Sequence, residues 1–189
     1  MYNKVMHIIF VTGNKNKLRE AEGILGITLD SFDMNVDEIQ ESNPILISEH
    51  KALQAWNQIK KPLFVLDQSL YINCLNDFPG PLIKWFWKKV TLKKICEIVN
   101  SFDDHKIRTE TIITYYDGEE MKHFSGEITG IIPTEPRGNK GWAWDPIFIP
   151  DGYRETYSEM GPENVLSLRS HKIALEKFRD FLKQNQLYF

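Results

Sequence analysis

The 189-residue sequence holds only two cysteines, Cys74 and Cys96, and they stand in unrelated contexts. That suggests neither a disulfide framework nor a metal site, and it suits a reducing compartment. Long hydrophobic runs are missing as well. The longest fall far short of the roughly 20 apolar residues that cross a bilayer, and the first residues show no signal-peptide core. A cytoplasmic protein with no membrane partner is the expectation. Neither sign of charge dominates: 23 basic against 26 acidic residues leave a net charge of −3. A general nucleic-acid binder needs a basic surface, so nucleic acid is not an expected partner, although a local basic pocket stays open. No repeat, low-complexity tract or Pro/Ser-rich linker marks a boundary, and one domain over residues 1–189 is expected. The Gly-x-Ser-x-Gly, His-Glu-x-x-His and EF-hand patterns are absent. His7, His50, His105, His123 and His171 are dispersed, which gives a histidine-centred mechanism little support.

What is present alternates between the periods of strand and helix. Val5 to Val11 is apolar and rich in β-branched residues, as a buried strand would be, and Thr12-Gly13-Asn14 breaks it. Leu18, Ala21, Ile24 and Leu25 then fall at helical spacing. A second helix is expected near Ile47 to Ile59, followed by a strand from Leu63 to Leu66. Thr91 can cap a helix whose apolar face is Leu92, Ile95, Cys96 and Val99. Thr109 to Tyr116 reads as a strand, Asp117-Gly118 as a turn, and Met121 to Phe124 and Glu127 to Ile132 as two further strands. Ala174, Leu175, Phe178, Phe181 and Leu182 give an amphipathic helix near the end. The sum is an α/β chain with a mixed sheet.

Four places can hold chemistry. Thr12-Gly13-Asn14-Lys15-Asn16-Lys17 joins a buried strand to a helix, where backbone N–H groups and two lysines suit a polyphosphate. The P-loop spacing is absent, and a plain Gly turn before a solvated helix remains the alternative. Asp67 closes the apolar run Leu63–Leu66, where open α/β sheets bind ligands. It can hold Mg²⁺ or take a proton from water, or it can be a simple turn aspartate. Glu38 offers a second hard oxygen. Phe78 to Trp87 sets prolines and a glycine before an aromatic, basic stretch that can be core with a wet face or a single-strand platform. Finally, Trp142, Trp144 and Asp145 lie in a Gly/Pro-rich loop that can stack on a flat heterocycle or fold over its own rings, with Arg169 able to reach the same ligand.

Taken in order, these segments resemble the inosine triphosphate pyrophosphatase family from about residue 8 to about residue 182. The matching pieces are Phe10-Val11-Thr12-Gly13-Asn14 with Lys17, Glu38, Asp67-Gln68-Ser69-Leu70, Pro79-Gly80-Pro81 with Ile83-Lys84-Trp85-Phe86, Phe124-x-Gly126-x-x-x-Gly130, Pro136-Arg137-Gly138, Trp144-Asp145-Pro146-Ile147-Phe148 and Thr156-Tyr157-Ser158-Glu159-Met160. The resemblance implies an elongated central mixed β-sheet with flanking helices, in two lobes around a substrate cleft, and a homodimer. It implies Mg²⁺-dependent hydrolysis of inosine and xanthosine triphosphates and their deoxy forms to monophosphate and pyrophosphate. By position, Thr12, Gly13, Asn14, Lys15, Asn16 and Lys17 cradle the triphosphate, with Lys51, Gln68 and Lys84 assisting. Glu38 and Asp67 hold the metal, and Asp67 is the base for the attacking water. Trp142, Ala143, Trp144, Asp145 and Arg169 line the base pocket.

Five positions depart from the family's usual pattern. Leu66 stands where an acid is usual, Gln68 where Thr or Ser is, Ala143 for Gly, Glu163 for Lys and Leu168 for His. His171 lies three positions past Leu168, nearly a helical turn away, and is not assigned the missing role. The competing expectation is a catalytically weakened homologue kept for nucleotide binding or dimerisation.

Overall fold

The computed structural model of this chain describes residues 8–34, 39–185 and 187. Residues 5–7 of the expected first strand and the candidate ligand Glu38 lie outside the described residues. Among the described residues the chain is a mixed α/β structure with seven strands and seven α-helices. β1 (Ile9–Val11) leads into α1 (Lys15–Leu25), and β2 (Asp30–Phe32) into α2 (Pro44–Ile59). Asn14 caps α1 by accepting from the N–H groups of Asn16 and Lys17, and Asn43 caps α2 with Pro44 in its first turn. β3 (Leu63–Ile72), β4 (Phe78–Gly80), α3 (Ile83–Val90) and α4 (Leu92–Val99) follow. Thr91 caps α4 as expected, accepting from Lys94 N–H. β5 (Lys106–Tyr116), β6 (Met121–Ile131), β7 (Ile149–Pro150), α5 (Tyr157–Met160), α6 (Pro162–Val165) and α7 (Ser170–Gln184) complete the chain.

The strands form one sheet in the order β2-β1-β3-β5-β6-β7, with β4 also on β3. β1 runs parallel to both neighbours, whereas β4 is antiparallel to β3 and β7 to β6. The sheet is therefore mixed, as expected. The chain divides into two compact units. One holds the residues up to Asp67, Thr111–Gly126 and those from His171 on; the other holds Gln68–Glu110 and Glu127–Ser170. β3, β5 and β6 each contribute residues to both.

In the first unit the two-residue period of β3 sorts its side chains. Phe64 and Leu66 join Phe10, Leu25, Ala174 and Phe178 in a core with α1 and α7, while Leu63 and Val65 join Ala52 and Ala55 of α2. The second unit buries Leu70, Ile72, Ile95, Val99, Ile147, Phe148 and Val165 together. Each fully buried side chain of this size is worth about 1.5–3 kcal/mol.

Two expectations need correction. β3 does not stop at Leu66; Ser69 is buried and Leu70–Ile72 pair with β4, so Asp67 sits inside a ten-residue strand. The two strands expected over Met121–Ile132 are one, because Ser125-Gly126 continues the ladder instead of turning. Phe78 to Trp87 contains a three-residue strand and the start of α3, with Ile83 buried and Phe86 and Trp87 packed against the second core.

Candidate active site

β1 ends at Val11, and its pairing with β3 covers Ile9 opposite Leu63 and Phe10 opposite Phe64. Ile9 N–H donates to the Pro62 carbonyl. The two-residue period then puts the Leu66 carbonyl on the same side of β3, just past the end of β1. Lys17 Nζ reaches it from α1 and donates at 3.3 Å. Although Asp67 is not at the end of its own strand, it lies beyond the carboxyl end of the neighbouring one.

The Asp67 side chain points away from Leu66, toward α2, where Lys51 Nζ donates to Oδ1 at 2.5 Å. Both groups are mostly buried. Oδ2 is buried and has no hydrogen-bond partner among the described residues. An anionic oxygen left in that state is costly unless a cation or water takes it. In kind, then, the residue fits magnesium, which prefers hard oxygen ligands. No group of three or more metal-binding side chains occurs among the described residues. Because neighbours on a strand face opposite ways, Leu66 belongs to the core with α1 and α7 and not to the Asp67 side. The missing acid at position 66 therefore removes no carboxylate from that side.

The Thr12–Lys17 turn differs from its sequence reading in one respect. Asn14 N–H donates to Thr12 Oγ1, and the Asn16 and Lys17 N–H groups donate to Asn14 Oδ1. Three of the donors expected to face a phosphate are already used inside the turn. Lys15 is exposed and Lys17 half-buried, so the positive charge of the turn rests more on these side chains than on free backbone N–H groups.

The second unit gathers the other candidates. Asp145 and Arg169 are almost fully buried and form a two-pronged pair, Nη1 to Oδ1 at 2.9 Å and Nη2 to Oδ2 at 2.7 Å. Trp142 N–H adds a third bond to Oδ2 at 2.9 Å. Gly141 has a φ of 81° and its Cα lies so close that a Cβ would overlap the Asp145 carboxylate, so both backbone and space call for glycine. The guanidinium sits 5.3 Å from the Trp142 ring and 5.1 Å from the Tyr157 ring, and its Nε has no partner among the described residues. Tyr157 donates to the Leu168 carbonyl at 2.5 Å, and burial pushes its phenol well above the ordinary range. Ala143, between the two tryptophans, takes a left-handed φ of 53°. For a residue with a Cβ that costs about 1–2 kcal/mol, which a glycine would avoid.

Trp142, Ala143, Trp144, Asp145 and Arg169 are thus brought together, and so are Lys17, Lys51 and the Leu66–Asp67 segment. Gln68 and Lys84 belong to the second unit. Lys84 is exposed on α3 with its ammonium 5.7 Å from the Trp85 ring. Arg169 does not begin the last helix; Leu166–Leu168 form a 3₁₀ turn and Arg169 is extended before α7. Leu168 lines an open cavity of about 440 Å³ with Lys140, Glu159, Met160 and Asn164. Glu163 stands exposed in the first turn of α6. His171 is buried, its Nε2 3.1 Å from Glu20 Oε2. Neither that pairing nor the seat of Asp33 beside Gly13 was anticipated from the sequence.

A strand-to-helix turn bearing lysines, an aspartate held by lysine, and an aromatic-flanked arginine define a mixed α/β chain with polar sites in both of its units. The chain belongs to the Ham1 family, whose pattern matches residues 8–181. It is 33% identical over 184 residues to a dITP/XTP pyrophosphatase of Methanopyrus kandleri, covering 95% of this chain and 98% of that one. It is 37% identical over 176 residues to an inosine triphosphate pyrophosphatase of Batrachochytrium dendrobatidis, covering 90% and 92%. Its fold is shared with a HAM1 protein from Coxiella burnetii, at a TM-score of 0.78 and 24% identity over 95% of this chain and 99% of the other. The Ham1 protein of Staphylococcus aureus gives 0.77 at 18% identity, over 94% and 99%.

Proposed function

We propose that this chain hydrolyses non-standard purine nucleoside triphosphates, ITP, dITP and XTP, to the monophosphate and pyrophosphate. Relatives with that activity in their names match almost its whole length. The structural observation behind the reading is Asp67, one oxygen fixed by Lys51 and the other buried without a partner among the described residues. Oδ2 accepts a hydrogen from water as the water oxygen attacks the α-phosphorus. The bond from that phosphorus to the bridging oxygen breaks, and pyrophosphate leaves. Lys15 and Lys17 offset the charge of the triphosphate and of the departing group, and Lys51 keeps the carboxylate aimed. Asp67 with Glu38 would hold Mg²⁺, which neutralises phosphate charge and acidifies water when bound. Asp145 holds Arg169 rigid between two aromatic rings, so that a guanidinium donor and the Trp142–Asp145 loop can read a keto purine. The assembly proposed is a homodimer in the cytoplasm, supported by the family resemblance; among the described residues no helix is long and apolar enough to cross a membrane.

The test is pyrophosphate release from a panel of purine triphosphates with and without Mg²⁺. ITP and XTP should turn over, in Mg²⁺ only. Binding of ITP with no turnover would favour the weakened homologue instead.

Selectivity gives a second expected result. A 6-keto oxygen accepts hydrogen bonds, whereas the 6-amino group of adenine donates them. Leu168 cannot donate, and it borders the arginine that can. Leu168→His should raise the ITP-to-ATP ratio of kcat/KM about tenfold, chiefly through ITP. Glu163→Lys, at an exposed position, should move it much less. An unchanged ratio for Leu168→His would show that other groups read the base.

A further inference from the structure

Gly13 is not among the glycines with a left-handed φ, so its backbone does not require glycine. What its missing side chain admits is the carboxylate of Asp33. A Cβ on Gly13 would stand 2.6 Å from Asp33 Cγ and 2.7 Å from Oδ2, far inside contact distance. The carboxylate therefore lies broadside against the turn that precedes α1. Strand register puts it there. Val11 is opposite Phe32, and Thr12 N–H donates to the Phe32 carbonyl at 3.0 Å, so Asp33 leaves β2 level with Thr12 and its carboxylate reaches the adjacent Gly13. One fixed negative charge thus shares the turn with Lys15 and Lys17.

We propose that Asp33 is a charge gate on this turn, disfavouring a bare triphosphate and admitting the cation-complexed form. It is a positioning residue that selects the ionic form of the substrate, and the proposal rests on the Thr12–Lys17 turn taking the triphosphate. A carboxylate a few ångströms from a phosphate repels it, and at a surface site this changes affinity by roughly tenfold. Magnesium on the phosphate oxygens cancels much of that repulsion, so the complexed form enters at little cost. Without Asp33 the two lysines would favour any polyanion, chelated or not.

Titration calorimetry of the full chain with inorganic tripolyphosphate, once in EDTA and once in excess Mg²⁺, tests this. Asp33→Asn keeps the shape and removes the charge. It should tighten binding of bare tripolyphosphate roughly tenfold and change the Mg²⁺ form by much less. Asp33→Ser should do the same, which excludes a bond peculiar to the amide. An unchanged or weaker affinity for bare tripolyphosphate in both variants overturns the gate. Lys15→Ala separates the two levels of the proposal. If it weakens tripolyphosphate while the Asp33 variants change nothing, the gate is wrong and the turn still takes the phosphate. If it too changes nothing, the phosphate role of the turn falls and the gate falls with it.

Discussion

Asp67→Asn should lower turnover of ITP by roughly a hundredfold or more while leaving the fold intact. The substitution is nearly isosteric, and the amide oxygen can still accept from Lys51 Nζ, which now approaches Oδ1 at 2.5 Å. What disappears is the anionic oxygen at Oδ2, the buried atom without a partner among the described residues. An amide nitrogen there neither takes a hydrogen from water nor ligates a cation. Steady-state kinetics at saturating Mg²⁺, with circular dichroism to check folding, measures the effect. A variant that kept wild-type kcat at the same Mg²⁺ concentration would require a different base. Loss of structure together with activity would instead make the Lys51–Asp67 pair a folding element.

Breaking the Asp145–Arg169 pair should give the largest loss of stability. Both side chains are almost fully buried, and Asp145 accepts three hydrogen bonds through its two oxygens. Asp145→Asn sets an NH₂ against the guanidinium and strands a positive charge in the second unit. Removing one partner of a buried pair costs about 3–5 kcal/mol, or a fall in Tm of roughly 10 °C for a chain of this size. Much of that is the penalty of the uncompensated charge. Adding Arg169→Met to Asp145→Asn should therefore restore part of the lost stability. Scanning calorimetry of the two singles and the double decides it. Simple addition of the two losses would mean that the pair is not what holds the loop. Either outcome leaves the ITP-to-ATP ratio to be measured separately, since the same arginine is proposed to read the base.

The elements legible in the sequence are those with enough residues to show a period. α1, α2, α4, α7 and β5 were all visible as periodic segments, with cap or turn residues marking α1, α4 and β5. β2, β4 and β7 have three, three and two residues, too few for any alternation to register. The polar run Asp67-Gln68-Ser69 looked like the end of a strand, because nothing local shows that β3 continues into the second unit and meets β4. α3 carries its apolar residues at helical spacing, yet the neighbouring prolines and glycine masked it.

The candidate site divides in the same way. Asp67, Lys17, Asp145 and Arg169 could be named from their segments, and the resemblance supplied their roles. Their partners could not be. Lys51 meets Asp67 only because α2 packs over the face of β3 that carries Leu63 and Val65. Asp33 meets Gly13 only through the register of β1 and β2, and Glu20 meets His171 across 151 positions of sequence. The burden of the Leu66 substitution also changed once strand direction was known, since Leu66 and Asp67 point to opposite faces of the sheet.

The most direct measurement of the central claim is hydrolysis of ITP in ¹⁸O-labelled water with mass analysis of both products. Attack on the α-phosphorus predicts inosine monophosphate carrying one labelled oxygen and unlabelled pyrophosphate, in Mg²⁺. Label in the pyrophosphate, or release of orthophosphate with inosine diphosphate, would place the attack elsewhere and contradict the account.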